Sequence, residues 1–164
     1  MYYNWNRINI MLIDDDVVYH PNIIRNLWNQ FKSFNNSVSL GYAGRIWLSN
    51  QNHLKFRHLH RSPQKLLKVD ILETYHLVIH PSHIFLEYYN DWIQFIKDTK
   101  NKCPDSIFTD DIVISLWCHL KNIPKFVLKG PKVKLNHHNT PQLSTLNLEG
   151  RNDKVFISIY KDYL

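Results

Sequence analysis

Ile8-Asn9-Ile10-Met11-Leu12-Ile13-Asp14-Asp15-Asp16 decides the reading of this chain. An apolar run of this length reads as a buried strand, here about Asn9–Ile13. The three aspartates then stand at the lip of a sheet, and in α/β folds ligands bind outside the carboxyl ends of strands. Residues i and i+2 of a strand share a side. Asp14 and Asp16 therefore converge while Asp15 turns away. Two carboxylates held together repel unless a cation or a proton joins them. Hard cations such as Mg2+ or Mn2+ prefer such oxygens. The competing reading is a solvated acidic turn that also caps a helix.

Working outward, His20-Pro21 opens a helix, because Pro suits the first helical position. Ile24, Leu27, Trp28 and Phe31 follow the spacing of a buried helical face, and Asn35-Asn36 ends the pattern. Val38–Tyr42 and Arg45–Leu48 read as strands around Gly41 and Gly44, where the backbone bends or approaches a neighbour closely. Val69–Leu72 and Leu77–Ile79 read as strands flanking Glu73-Thr74-Tyr75. A helix from about Ser82 to Lys97 carries the stripe Phe85, Tyr88, Tyr89, Trp92, Phe95 and Ile96. Another begins near Thr109 as N-cap, buries Ile112, Leu116 and Leu120, and stops at Asn122-Ile123-Pro124. Lys125–Leu128 reads as a last strand. From about residue 135 the tail reads as irregular, with a core signal only at Val155–Tyr160. The whole implies one α/β domain over residues 1–164, with a mixed central sheet flanked by helices.

The 164 residues suffice for a real core, and 44% hydrophobic content argues against disorder. No Gly-rich phosphate loop occurs, which argues against dinucleotide-binding and P-loop enzymes. A formal charge of +6 suits anionic partners and makes the acidic triplet stand out. Cys103 and Cys118 form neither a disulfide framework nor a zinc site by themselves, and they read as reduced thiols. No apolar stretch is long enough to cross a membrane, and the first residues lack the pattern of a signal peptide. A cytoplasmic location is the default expectation.

A second acidic pair, Asp110-Asp111, stands at the start of the helix after Thr109. Carboxylates in a first helical turn are stabilising by about 0.3–1 kcal/mol, which alone accounts for either residue. One of them pointing into a cleft is instead a candidate general base. A helix N-terminus favours its ionised form and weakens it as a base, so burial or substrate has to compensate. Downstream, Lys129, Lys132 and Lys134 are placed to neutralise a diphosphate. His137 or His138 offers a third metal ligand beside the triplet; a surface histidine pair is the plainer reading.

In order along the chain, these segments resemble the A-type-fold glycosyltransferases, the nucleotide-diphospho-sugar-dependent class. Ile13-Asp14-Asp15-Asp16-Val17-Val18-Tyr19-His20-Pro21 is similar to that family's Asp-x-Asp strand end and following helix. Thr109-Asp110-Asp111-Ile112-Val113-Ile114-Ser115-Leu116-Trp117 resembles its acceptor-side acidic helix start. Val69–Pro81 is similar to the segment leading to the acceptor pocket, with Thr74 and His76 where many relatives carry glycine. The likeness spans about Ile10 to Lys134.

The resemblance implies that Asp14 and Asp16 bind Mn2+ or Mg2+ bridging the donor diphosphate. Asp14, Lys132 and Lys134 would contact the donor, and His137 or His138 would be the C-terminal metal or phosphate contact. Asp111, or Asp110, would deprotonate the acceptor hydroxyl in an inverting transfer to a sugar, protein or lipid. Members of this fold place a nucleotide-binding βαβ region ahead of the Asp-x-Asp strand, whereas 13 residues precede Asp14. The expectation is a shortened domain resembling the carboxyl-side part of the fold, with a second chain as a possible source of the rest. A non-enzymatic remnant that binds a glycan or a partner is the alternative. The basic stretch His53–Lys68 would suit nucleic acid, but the acidic pairs would repel its phosphates. A metal-dependent phosphotransferase shares only the Asp-x-Asp.

Overall fold

The computed structural model describes residues 9–14, 17–46, 57–58, 65–130, 134–135 and 151–160. In chain order the elements are β1 (Asn9–Leu12), β2 (Val17–Val18), α1 (Pro21–Ser33), β3 (Ser39–Gly41), β4 (Gly44–Ile46), β5 (Arg57–His58), β6 (Leu67–Lys68), β7 (Ile71–Leu72) and β8 (Val78–Pro81). Then come α2 (His83–Leu86), α3 (Tyr89–Lys102), α4 (Asp110–Leu120), β9 (Lys125–Val127), β10 (Lys134–Leu135) and α5 (Arg151–Tyr160). Two 3-10 turns, Thr74–His76 and Pro104–Phe108, lead into β8 and α4. No helix among the described residues is long and apolar enough to cross a membrane.

The central sheet is mixed and five-stranded, in the order β1-β8-β3-β9-β6. β8 runs antiparallel to both β1 and β3, β3 and β9 are parallel, and β6 is antiparallel to β9. Among the described residues β1 pairs with β8 alone, so it forms one edge. β4 lies between β5 and β7 in a small antiparallel sheet, and β10 pairs antiparallel with β2.

Alternation along the strands sorts the core into two layers. Leu40, Leu77 and Ile79 face α1, where Ile23, Leu27 and Phe31 are buried against them. Each fully buried side chain of this kind contributes about 1.5–3 kcal/mol. The helical face is Ile23-Leu27-Phe31, one residue round from the expected one: Ile24 is 44% exposed. His20 starts the helix by accepting the Asn22 N–H at Nδ1, and Asn35 and Asn36 end it with φ of 53° and 57°.

On the other face of the sheet Ser39 and His80 meet Cys118 of α4, and His80 meets Phe85 of α2, while Val78 and Val127 pack with Val69 and Leu72. The single helix expected over 82–97 is two helices separated by Glu87 and Tyr88, and α3 runs on to Lys102. Tyr88 and Tyr89 sit at that break and are exposed, so the inward stripe is Phe85, which is buried, with Trp92, Phe95 and Ile96 partly buried. The tail expected to be irregular contains α5, whose Val155, Phe156, Ile159 and Tyr160 cover Ile112, Val113 and Leu116.

Two backbone features shape the approach to β8. A Cβ on Gly44 would meet the Ile71 carbonyl oxygen at 2.6 Å, so only glycine lets β4 lie against this strand. Leu77 leaves the Thr74–His76 turn with φ of 66°. A left-handed conformation costs a bulky residue about 1–2 kcal/mol, and the complete burial of Leu77 offsets it.

Candidate functional site

Asp14 follows β1 by two residues and is partly buried. Its backbone N–H donates to the Tyr19 hydroxyl at 2.9 Å, and that hydroxyl donates to the Tyr75 carbonyl at 3.1 Å. The acidic turn is thereby tied to the Thr74–His76 turn, 56 residues away in sequence from Tyr19. Its outgoing leg is β2, which pairs with β10 in the register Lys134↔Val18 and Leu135↔Val17. Lys134, from the distant tail, thus stands in a strand directly alongside the residues that follow the triplet. Asp15, Asp16, Lys132, His137 and His138 lie outside the described residues.

Glu73, Arg45 and Asp111 meet around the other side of the Thr74–His76 turn. Glu73 ends the apolar pair Ile71-Leu72 and is only 1% exposed. Its backbone N–H is held by the Ala43 carbonyl at 3.0 Å, and its carboxylate pairs with the Arg45 guanidinium at 2.5 Å. The Tyr75 hydroxyl also hydrogen-bonds to Glu73. Burial, followed by the Glu73 charge and this bond, pushes the phenol well above its ordinary range.

Asp111 lies in the first turn of α4, with Asp110 exposed beside it. Asp111 is partly buried, and this loss of solvation is the main cause that pushes its carboxyl up to about 7. The charges of Asp110 and Glu73 add to the rise, while Arg45 and a hydrogen bond from the Ile112 N–H oppose it. At this helix start, burial therefore outweighs the helix terminus. A carboxyl poised near neutrality is a stronger base than an ordinary aspartate. Thr109 occupies the N-cap position without capping: its hydroxyl donates to the Ser106 carbonyl at 3.1 Å.

Directional bonds behind the cluster set the position of α4. The Ser115 hydroxyl accepts the Leu72 N–H at 3.0 Å, and the Ser115 carbonyl accepts the Lys125 ammonium at 3.0 Å. The Trp117 indole N–H donates to the Ile84 carbonyl at 2.8 Å. Alongside, the Ser39 hydroxyl contacts His80 Nδ1 at 2.8 Å, and the Cys118 thiol lies 3.5 Å from both. Burial, with the Lys125 charge second, lowers His80 to about 3, so it is neutral at pH 7. Burial raises Cys118 to about 11, which leaves it a thiol. This trio resembles a nucleophile and base in composition alone, because it is sealed from substrate.

Chemically, the cluster offers one carboxyl suited to accept a proton and one strand-end carboxylate suited to a hard cation. Among the described residues no three His, Cys, Asp or Glu side chains gather around one point. Asp14 is the described donor, and its oxygens suit Mg2+ or Mn2+ rather than a metal that prefers thiolates. A groove of about 310 Å³ between α3, α4 and α5, bordered by Asp91, Asp98 and Ile159, shares no residue with the cluster.

The expected residues Asp14, Lys134 and Asp111 thus occupy connected parts of the fold. Tyr19, Arg45, Glu73 and Tyr75 join them and were not singled out from sequence. Glu73 carried a usable signal: it is an acid directly after an apolar pair, the same pattern that marked Asp14. No family model and no curated protein matches the chain.

Proposed function

We propose that the chain is a metal-dependent glycosyltransferase, or the catalytic part of one, which moves a sugar from a nucleotide-diphospho-sugar to an acceptor hydroxyl with inversion. The observation that carries this reading is the hydrogen-bonded link from Asp14 through Tyr19 to Tyr75, whose side chain bonds the Glu73 that faces Asp111. It joins two acidic motifs 97 residues apart (14 to 111) at one end of the sheet. The resemblance to the carboxyl-side part of an A-type fold is supported by Asp14 at the exit of β1 in a mixed sheet.

In this mechanism Asp14 and Asp16 would hold Mn2+ or Mg2+, which would supply Lewis-acid chemistry for the diphosphate leaving group. Lys134, in the strand beside the turn, and Lys132 add positive charge for the donor phosphates. His137 or His138 would be a further metal or phosphate contact. Asp111 accepts the proton of the acceptor hydroxyl as that oxygen attacks the anomeric carbon. Asp110 contributes negative charge that raises its basicity. Arg45 pairs with Glu73 and holds it in place beside the base.

Calorimetric titration of the folded chain with UDP- and GDP-sugars, with and without Mn2+, tests the reading. The expected result is Mn2+-dependent binding that Asp14→Ala and Asp16→Ala abolish. Mutants that bind as the parent does would overturn the metal assignment.

The second reading is a non-enzymatic domain that binds a glycan or a partner chain, and the outer edge of β1, unpaired among the described residues, is the observation that favours it. A folded, metal-supplied chain that binds no nucleotide-sugar but retains a glycan would replace the first reading with this one.

A further inference from the structure

We propose that the Tyr19 hydroxyl is a positioning group, a strap that holds the cation-binding turn against the acceptor-side turn; this rests on the glycosyltransferase reading. The hydroxyl is used on both sides. It accepts the N–H of Asp14, the candidate ligand itself, at 2.9 Å and donates to the Tyr75 carbonyl at 3.1 Å. The Tyr19 ring packs against the core beneath α1, so a rigid group places the hydroxyl. The same bond closes the segment Asp14–Tyr19 on itself across five residues.

Physical chemistry gives such a strap a purpose. Carboxylates gathered for one cation repel each other before it binds. A turn free to relax would spread them and would have to be reordered by the metal, which weakens binding. Fixing the Asp14 backbone removes that reordering. The far end of the strap is not an arbitrary anchor. The Tyr75 side chain bonds Glu73, which pairs with Arg45 and lies within the field of Asp111. One hydroxyl thereby sets the spacing between the group that would hold the donor and the group that would activate the acceptor.

The same core supplies a matched control. The Tyr42 hydroxyl donates to the Ile23 carbonyl at 3.1 Å, a comparable bond that touches neither acidic motif. Full-length wild-type chain, Tyr19→Phe and Tyr42→Phe are titrated with Mn2+, with free Mn2+ read by electron paramagnetic resonance. Thermal unfolding in chelator measures the folded state of each. Both variants should lose similar stability. Tyr19→Phe should weaken Mn2+ binding by about tenfold, the change that one lost buried hydrogen bond makes to an equilibrium constant, and Tyr42→Phe should leave it unchanged.

Equal Mn2+ affinity in Tyr19→Phe and wild type overturns the strap and leaves the functional reading standing. Equal weakening in both variants also overturns it, by reducing Tyr19 to a stability residue. A wild-type chain that binds no Mn2+ removes both the functional reading and this inference. Hydrogen exchange at the Asp14 amide gives an independent check on the unmodified protein. Slow exchange there, accelerated in Tyr19→Phe, supports the strap, and unprotected exchange in the wild type sinks it.

Discussion

The two faces of the central sheet are built on opposite plans. Beneath α1 the contacts are mainly apolar: Ile23, Leu27 and Phe31 meet Leu40, Leu77 and Ile79, and the hydroxyls of Tyr42 and Tyr19 each reach a backbone carbonyl. Beneath α4 the buried set includes Ser39, Glu73, His80, Ser115 and Lys125. Apolar packing is strong but non-directional, and it tolerates small slides. Hydrogen bonds are weaker in net terms but fix rotation and register. The face that needs only stability uses the first. The face that carries Asp111 uses the second, which fixes where that carboxyl stands.

The contrast can be broken most directly on the apolar side. Phe31→Ala should cost about 3–5 kcal/mol, since it removes a fully buried ring and leaves a cavity. Denaturant unfolding would show it, and a loss under 1 kcal/mol would mean that the core beneath α1 is loosely packed. Ser115→Ala is expected to cost about 1–3 kcal/mol, because it leaves the buried Leu72 N–H without its acceptor. A neutral result would mean that α4 is held by packing alone.

The smallest effect sharpens the comparison through pH. Asp111 is raised from 3.8 to about 7 in the folded chain, so the folded state binds more protons than the unfolded between those values. Its contribution to stability is therefore fully present below the unfolded value and is lost as pH rises through about 7. Asp111→Asn should match the parent near pH 4 and exceed it at pH 8 by about 1–2 kcal/mol, a figure reduced for partial exposure to solvent. Parallel pH profiles for the two proteins would remove the raised carboxyl from the description.

Much of this architecture was legible from local pattern. Pro21 and the Asn35-Asn36 pair bracket α1, Asn122 and Pro124 end α4, and the apolar runs at 8–13, 38–42 and 125–128 contain strands. Misreadings arose where tertiary packing decides between equivalent local choices. Ile23 and Ile24 are both apolar and adjacent, and only the position of the sheet selects Ile23. Tyr88 and Tyr89 fit a helical stripe, yet the break before α3 turns them outward. Thr109 has the chemistry of a cap, but its hydroxyl is taken by Ser106.

The acidic residues themselves, Asp14 after an apolar run and Asp110-Asp111 before an amphipathic one, follow from sequence because each sits at an element boundary that local periodicity marks. Their association does not. Tyr19 and Tyr75, or Arg45 and Glu73, have no spacing signal, since the bonds between them cross strands and turns far apart in the chain. The basicity of Asp111 is likewise a tertiary property. A helix start alone favours the ionised form, and burial, with the charges of Asp110 and Glu73 behind it, reverses that balance.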